Sequence, residues 1–362
     1  MPLRAFHLRP KSSQSGRLPP SPTVWGALMW AAATLHGDDA MSEIAGRLPE
    51  HPAFVASGAF PLLFGADGRR ALRFYPRPEL AEPAREAPSD SGTGGLDAKQ
   101  EATVRAGQQK TLNGVQYVSQ GLFERLAGGV WGQQELFEHS QQGQLARAGR
   151  CLALREEAEQ MMWPECLWQR TGVTRVQMDR RTDSAAEGQL FQTVEWFPQP
   201  HAGLWVLVDE ADDSPADAAA LLRYLGDTGL GGKRSVGKGH FDAEEQPDAA
   251  LPAAKNPNGW VALGHYLPGD DEQQALTAGE HPPEGLRYTL TNWNAAYDRA
   301  RPDASGPVRK PLRRMLAPGS TIPLPDAEDA PASWYGQAVP SGASGAHTVY
   351  VSGLAPAAPA RL

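Results

Sequence analysis

A glycine-rich run between positions 229 and 241 constrains this chain more than any other feature of its sequence. The run, Gly-Leu-Gly-Gly-Lys-Arg-Ser-Val-Gly-Lys-Gly-His-Phe, holds five glycines, three lysines or arginines and no acid. Glycine permits a positive φ and a close approach of the backbone to a ligand. Successive backbone N–H groups can then form a concavity that binds anions. The run therefore predicts a loop that holds phosphate groups.

The common nucleotide-binding patterns do not fit this run. Alignment of Lys233 with the Walker lysine places Asp227 at the first glycine and Arg234 at the hydroxyl position. A dinucleotide fingerprint that starts at Gly229 requires a glycine where Arg234 stands. The alternative to a phosphate site is a glycine-rich turn between a helix and a strand, with solvated cations.

The formal net charge of −8 by itself argues against nucleic-acid binding, but the positive and negative charges are segregated along the chain. Acids concentrate at 209–217, 242–248, 270–272 and 326–329, whereas residues 299–314 hold six cations and one acid. A nucleic acid requires only a local basic face. The charge balance is therefore compatible with RNA binding, and a solvated surface is the alternative for each cluster.

Composition makes several other classes of protein improbable. Cys151 and Cys166 have no second cysteine pair with which to complete a zinc site. The first residues lack the apolar core of a signal peptide, and no run approaches the ~18 apolar residues of a membrane span. We therefore expect a cytoplasmic protein that has no metal or other cofactor and no membrane contact.

Hydrophobic spacing predicts a mixed α+β chain. A strand is expected at 3–8, and Ser21 is expected to cap a helix that ends at Gly37. A second helix is expected to start at Ser214, followed by the glycine loop and a strand at 235–241. A further helix is expected at 120–126, and strands at 60–64, 71–75, 173–178, 190–197, 203–208, 260–266, 286–293, 309–316 and 347–351.

Residues 78–108 are rich in Pro, Gly, Ser and Asp and poor in large apolar side chains. Such a composition cannot bury enough apolar surface to order itself. We expect a mobile insertion here, and the glycine- and glutamine-rich stretch at 128–150 extends it to about 78–150.

Four blocks of the sequence resemble one known family. The glycine run resembles the signature of RAMP proteins, in particular the fourth Csm subunit of type III-A CRISPR effector complexes. Three further blocks are similar to that family in the same order: 22–28, then 176–182 with 187–191, then 309–312 with 318–320. The chain departs from the family at Pro20-Ser21-Pro22-Thr23, where His-Ser-Asp-Thr is usual.

The resemblance implies a fold class and a domain division. It implies an α+β fold of two ferredoxin-like, RRM-related halves, with a long insertion in the first. The first half would span 1–241, with the insertion at about 78–150 and the glycine loop at 229–239. Residues 242–258 would form a linker, and 259–362 the second half. The insertion would include the family's thumb-like hairpin.

The resemblance also implies a function. The chain would be a non-catalytic subunit that binds the repeat-derived 5′ handle of crRNA. It would dock the large Palm-domain subunit and adjoin a backbone RAMP subunit. Its RNA-binding residues would be Gly229, Gly231, Gly232, Lys233, Arg234, Ser235, Gly237, Lys238, Arg175, Arg180 and Arg181. Exposed aromatic side chains would stack on splayed handle bases.

Two other functions stay open. RAMP relatives include endoribonucleases that cut crRNA precursors, for which His7 or His240 would be the general acid or base. The other is a structural adaptor whose basic loop meets an acidic protein surface without RNA contact. Neither histidine lies in a catalytic or metal-binding sequence pattern, and the chain has no Gly-x-Ser-x-Gly nucleophile elbow. We therefore expect no catalytic residue and no metal ligand.

Overall fold

The computed structural model describes residues 3–48, 50–81, 112–179, 181–182, 184–247, 250–252, 254–296, 309–325, 331–344 and 347–362. They form a mixed α+β fold with one large sheet and few helices. The helices are α1 Ser21–Gly46, α2 Gln120–Ala127, α3 Gln133–Gln141, α4 Arg155–Ala158, α5 Ala218–Thr228 and α6 Asp270–Thr277.

The strands of the N-terminal part are β1 Leu3–Pro10, β2 Gln14–Ser15, β3 Phe54–Ala56, β4 Phe60–Phe64, β5 Ala71–Pro76, β6 Tyr117–Ser119, β7 Leu145–Ala148, β8 Cys151–Leu154, β9 Trp168–Asp179, β10 Ser184–Pro198, β11 Ala202–Glu210 and β12 Phe241–Gln246. The remaining strands are β13 Gly259–Ala262, β14 Leu290–Trp293, β15 Arg313–Leu316, β16 Thr321–Pro323, β17 Trp334–Tyr335, β18 Ala338–Ser344, β19 His347–Ser352 and β20 Ala355–Ala360.

The largest sheet has nine strands in the order β12-β1-β11-β4-β5-β6-β8-β7, and β3 also pairs with β11. Every pairing is antiparallel except that of β6 with β8. The central strand β11 is buried on both faces. Leu204 and Val206 face a core that α1 and α5 cover, while Trp205 and Leu207 face a second core that contains α2 and the C-terminal strands. The sheet is thus the middle layer of the protein.

The C-terminal strands form a four-stranded sheet, β16-β13-β20-β17, and two separate hairpin pairings, β14-β15 and β18-β19. They are joined to the N-terminal part by backbone hydrogen bonds, for example from the Arg361 N–H to the Ala127 carbonyl at 2.7 Å. The division into two ferredoxin-like halves stays a prediction.

Helix α1 begins differently from the expectation. Pro20 occupies the N-cap position without a side-chain bond. The Ser21 hydroxyl accepts the His265 backbone N–H at 2.7 Å instead, which ties the C-terminal part to the start of the helix. Gly37 interrupts the helix at a φ of +84°, as its position predicted, but helical backbone resumes and continues to Gly46.

A long hairpin, β9 with β10, is the most extended feature of the fold. Its strands pair from Trp168 and Pro198 at the base towards Asp179 and Ser184, and β2 adds a third strand at the base. The thumb-like hairpin was expected within 78–150. Of that range, 82–111 lie outside the described residues, and 117–119 and 145–148 are strands of the main sheet.

The first residues of the expected linker at 242–258 belong to the sheet, and the strand expected at 235–241 begins only at Phe241. Residues 234–236 form a 3₁₀ turn, and β12 runs from Phe241 to Gln246 at the sheet edge. Its acids pair across the ladder with cations of β1 and the residue after it: Glu245 with Arg4, Glu244 with Arg9 and Asp242 with Lys11. Opposite charges on neighbouring strands favour this pairing.

Part of the acidic cluster at 209–217, for which a solvated surface is the alternative, is also structural. Asp209 and Glu210 are buried at the end of β11, and the Arg4 guanidinium pairs with Glu210. The following helix starts at Ala218 rather than at Ser214, because Asp217 provides the N-cap by accepting the Ala220 N–H at 2.9 Å.

Candidate nucleic-acid interface

The glycine loop, residues 229–239, leaves α5 and returns to β12 through a narrow neck. The Leu230 N–H donates to the Gly239 carbonyl at 2.9 Å, and the Leu230 side chain is buried in the core. Gly229 and Gly239 have φ values of +89° and +77°. A Cβ at Gly239 would overlap the Leu230 carbonyl. The neck therefore requires glycine both for conformation and for space.

The C-terminal half of the loop uses its N–H groups within the protein. The N–H of Val236 donates to Lys233, that of Gly237 to Arg234, and that of Gly239 to the Ser13 carbonyl at 3.0 Å. Lys233 adopts a left-handed φ of +62°. The tip of the loop, from Lys233 to Val236, is exposed except at Arg234, which is half-buried, so an anion would meet the loop there.

Two of the cations expected to bind RNA form ion pairs with one buried carboxylate. The Lys238 ammonium lies 2.7 Å from Oε2 of Glu195, and the Arg175 guanidinium lies 2.5 Å from Oε1. The Ser13 hydroxyl donates to Oε2 at 2.7 Å. Glu195 is only 2% exposed. The group joins the glycine loop, the base of the β9-β10 hairpin and the segment before β2.

Burial alone would raise the pKa of the Glu195 carboxyl, because it removes the charged form from water. Hydrogen bonds from Lys238, Arg175 and Ser13 outweigh this and lower the pKa to about 2. Glu195 is thus ionised at neutral pH and is the shared counter-ion of two cations that the sequence had assigned to phosphates. Lys238 fixes the loop to the hairpin, and Arg175 joins the two strands of the hairpin.

The sequence interpretation did not single out Glu195, although one signal was present. Along β10, Phe191, Thr193 and Phe197 share its face, so an acid there interrupts a mostly apolar set of side chains. A carboxylate on such a face requires a cationic partner. The identity of the partners could not be read from the chain, since they come from β9 and from the glycine loop.

Arg234 lies over the side of α1. Its guanidinium is 4.3 Å from the centroid of Trp30, and Trp30 stacks on Tyr224 of α5 at 5.6 Å between ring centroids. Cation–π contact stabilises this position of the arginine. Lys233 and Ser235 are exposed on either side of Arg234 in the sequence.

The three arginines assigned to RNA separate in the structure. Arg175 is held at Glu195. Arg181 lies in the turn that joins β9 to β10, at the far end of the hairpin from its base. Arg180 lies outside the described residues. Of the two arginines in this set that the structure describes, Arg175 is linked to the glycine loop through Glu195, and Arg181 lies at the far end of the hairpin.

The two candidate catalytic histidines have different environments. Burial, with a smaller contribution from the nearby Arg73 and Arg9, lowers the pKa of His7 to about 3. Its Nε2 accepts the Arg73 Nε–H at 3.0 Å. His7 is therefore neutral near pH 7 and cannot supply a proton as a general acid there. His240 borders the loop, and its backbone N–H donates to the Ser12 hydroxyl at 3.0 Å.

Within the described parts of the chain, no group of three or more His, Cys, Asp or Glu side chains is arranged to hold a metal ion. A search of the same residues finds no helix with the length and apolar character of a membrane span. Cys151 is buried and Cys166 half-buried, and both are free thiols.

Comparison with known proteins gives one family match. The model of the RAMP superfamily matches residues 20–242, which is more than half of the chain. The matched segment begins just before α1 and ends in β12, so it contains the β9-β10 hairpin and the glycine loop. No curated protein matches the sequence.

Solved structures match over nearly the whole chain. A chain of the Csm3-Csm4 subcomplex in the type III-A CRISPR-Cas interference complex is 13% identical with a TM-score of 0.61, covering 99% of this chain and 100% of that chain. Chains from the Csm1-Csm4 cassette in complex with cA4 and with pppApA are each 19% identical, with TM-scores of 0.55 and 0.54, covering 100% of this chain and 99% of theirs. At these identities the similarity establishes the fold.

Proposed function

We propose a function for this chain from one premise: it belongs to the RAMP superfamily. We infer that it is the Csm4-type subunit of a type III-A CRISPR effector complex. The observation that carries this inference is the end-to-end similarity of fold to chains in two complexes, Csm1-Csm4 and Csm3-Csm4. Csm4 is the component that these complexes share. The match covers 99% or more of this chain, so it is not limited to one sheet.

The proposed role is non-catalytic binding of the repeat-derived 5′ handle of crRNA. In the glycine loop, Lys233, Arg234 and Ser235 would contact handle phosphates, because they lie at the loop tip, where Lys233 and Ser235 are exposed and Arg234 is half-buried. Gly229, Gly231 and Gly237, with φ values of +89°, +96° and +77°, would shape the backbone. Gly232 bridges to Ser15. Arg175 and Lys238 would act as positioning residues through Glu195, and Arg181 would meet RNA at the hairpin turn. Arg180 is also proposed to contact RNA.

The proposed protein partners are the large Palm-domain subunit and the adjacent backbone RAMP subunit. The outer part of the β9-β10 hairpin supports a protein contact, because Val176, Met178 and Leu190 are 43%, 50% and 71% exposed. Val176 and Leu190 lie directly opposite each other, so the apolar side chains form one patch. Patches of this kind mark interaction surfaces. We place the complex in the cytoplasm.

Endoribonuclease activity on crRNA precursors is the competing function. The neutral, buried His7 disfavours it, and His240 beside the glycine loop is the remaining candidate. The other competing function is a structural adaptor without RNA contact. The adaptor would use the same loop tip to meet carboxylates, so RNA binding separates it from the proposed function.

Reconstitution tests the proposal. The chain is co-expressed with the large Palm-domain subunit, the backbone RAMP subunit and a repeat-spacer transcript, and is purified through a tag on the Palm-domain subunit. We expect co-purification together with RNA whose 5′ handle resists nuclease. A complex that assembles and protects the handle equally well without this chain would overturn the proposal. Cleavage of a repeat RNA by the isolated chain, lost in His240→Ala, would establish the endoribonuclease instead.

A further inference from the structure

A groove of about 1160 Å³ opens beside the glycine loop. One wall comes from the Arg17–Pro20 segment and the ends of β4 and β5, and the other from the β7-β8 turn and the base of the β9-β10 hairpin. His265, Thr289 and Pro318 of the C-terminal part also line it. We call it the arginine groove after four lining residues, Arg17, Arg77, Arg150 and Arg170.

We propose that the arginine groove binds a segment of single-stranded RNA, with its arginines on the phosphates and Trp196 beneath a base. The inference rests on the proposed function and adds the site at which most of the RNA charge would be met. It also changes the role of the glycine loop, whose tip would guide the strand into one end of the groove.

The charge of the groove supports an anionic ligand. None of its four arginines forms an ion pair with a carboxylate of the described residues. Arg150 donates to the Gln116 side chain at 3.0 Å, and Arg77 donates to the Leu112 carbonyl at 2.7 Å and to Gln133 at 2.8 Å. These acceptors are neutral, so the hydrogen bonds do not compensate the positive charges of Arg150 and Arg77. Lys238 and Arg175 differ from these arginines, because they share the Glu195 carboxylate as counter-ion.

Among the described residues that line the groove, the one acid is Glu79, whose Oε1 accepts the Thr289 hydroxyl at 2.8 Å. Burial lowers the pKa of the Arg77 guanidinium, and Glu79 opposes this only partly. A buried guanidinium with neutral partners gains when an anion enters. The positive charges of the four arginines exceed the negative charge of Glu79, so the groove favours a ligand with several phosphates over a neutral one.

Aromatic surface lies beside these charges. The Arg150 guanidinium is 5.5 Å from the Trp196 ring centroid, and the Trp196 Nε1–H donates to the Gly16 carbonyl at 2.6 Å, which fixes the ring. Arg170 lies opposite Trp196 in the hairpin register and is exposed. An indole flanked by guanidinium groups suits stacking with unpaired bases. An acidic peptide would use the arginines but not this surface, which favours RNA.

The groove continues into the glycine loop. Gly232 bridges to Ser15, and a Cβ on Gly231 would lie 3.8 Å from Pro19, a groove residue. One segment, residues 15–20, therefore borders both the glycine loop, at Gly231 and Gly232, and the groove. A strand held at the tip would enter the groove without leaving the surface of the protein.

The test compares two double variants of the full chain. Arg150→Gln with Arg170→Gln removes two groove charges; Arg69→Gln with Arg70→Gln removes two exposed charges at the β4-β5 turn, the opposite end of those strands. Fluorescence anisotropy with a labelled single-stranded oligoadenylate measures binding across a salt series. We expect about a tenfold loss of affinity and a salt slope smaller by about 1.4 for the groove variant, at about 0.7 per phosphate contact. The control is expected to bind like the wild type.

The outcomes are distinguishable. Wild-type affinity in the groove variant overturns this inference and leaves the proposed function standing. A wild-type chain that binds no oligoadenylate, even at low salt, overturns both. Loss of binding to a poly-glutamate probe with RNA affinity unchanged identifies the groove as a protein-docking surface and overturns the inference. Photo-crosslinking of a 4-thiouridine oligonucleotide gives an independent readout, and we expect the crosslinked peptide to contain Trp196.

Discussion

The ammonium of Lys238 lies 2.7 Å from the carboxylate of Glu195, so the glycine loop is anchored to the β9-β10 hairpin by a buried ion pair. The same carboxylate binds Arg175 on its other oxygen. Lys238, a cation of the glycine loop, therefore stabilises the site and does not face solvent. Because all three contact Glu195, the loss of its charge would weaken the contacts of the loop, the hairpin and the segment at Ser13 together.

Replacing Glu195 with glutamine tests this anchor. The Glu195→Gln side chain keeps the shape but leaves Lys238 and Arg175 without a counter-charge in a largely buried site. Removal of one partner from a buried pair costs about 3 kcal/mol or more of unfolding free energy. Urea denaturation measures this loss, and Glu138→Gln on the exposed side of α3 is the control, expected to change stability by less than about 0.5 kcal/mol. Equal stability of the two variants would contradict the anchoring role.

The same carboxylate predicts a pH dependence of stability. The pKa of Glu195 falls from 4.5 to about 2 on folding. A lowered carboxyl pKa adds stability above the unfolded pKa, and the gain is lost as the pH falls through the folded pKa. We expect the wild type to lose about 3 kcal/mol relative to Glu195→Gln between pH 5 and pH 2, at about 1.4 kcal/mol per pKa unit. Parallel stability curves for the two proteins over this window would be inconsistent with the ionised, anchored state.

Two glycines of the loop are expected to differ on substitution. Gly237 has a φ of +77° and open space where a Cβ would lie, so Gly237→Ala should cost only the left-handed backbone penalty of about 1–2 kcal/mol. Gly239 has the same φ, but its Cβ would overlap the Leu230 carbonyl, so Gly239→Ala should cost more and open the neck. Thermal or urea unfolding of both variants checks the order. A smaller effect at Gly239 would show that the neck tolerates a side chain.

The loop tip is expected to affect RNA binding more than stability. Arg234→Ala removes a charge-assisted phosphate donor, and we expect a loss of about 1–3 kcal/mol in binding of handle RNA. Removal of its contact with Trp30 should lower stability by only about 0.5–1 kcal/mol. The matched control is Arg223→Ala, an exposed arginine on α5. Similar RNA affinity in the two variants, measured in the reconstituted complex, would remove the tip from the phosphate site.

Much of the local structure followed from the sequence alone. The structure confirms five expected elements, with each end within two residues of its expected position. These are the strands at 3–8, 60–64, 71–75 and 203–208 and the helix at 120–126. Alternation of side chains, apolar runs and glycine positions encode these elements in a few neighbouring residues. The resemblance to RAMP proteins was likewise contained in short blocks, and the family match confirms it.

The errors in the acidic segments share a cause. The expected linker at 242–258 begins with the edge strand β12, and Glu210 is buried at the end of β11, because these acids meet cations from β1. The composition of a segment shows its charge but not which strand lies opposite. Only the fold brings Arg4, Glu210 and Glu245 together and turns an apparent solvated loop into part of the sheet.

The same distinction applies to the candidate site. The sequence by itself determined that five glycines and three cations form a loop after a helix, with backbone conformations that only glycine adopts readily. The tertiary structure decided which cations, in the loop and elsewhere in the chain, are paired with a carboxylate. Lys238 and Arg175 share the Glu195 carboxylate as counter-ion, while Arg150 and Arg170 in the groove form no ion pair with a carboxylate of the described residues. Electrostatic pairing depends on distances of a few ångströms between residues far apart in the chain, and these distances exist only after folding.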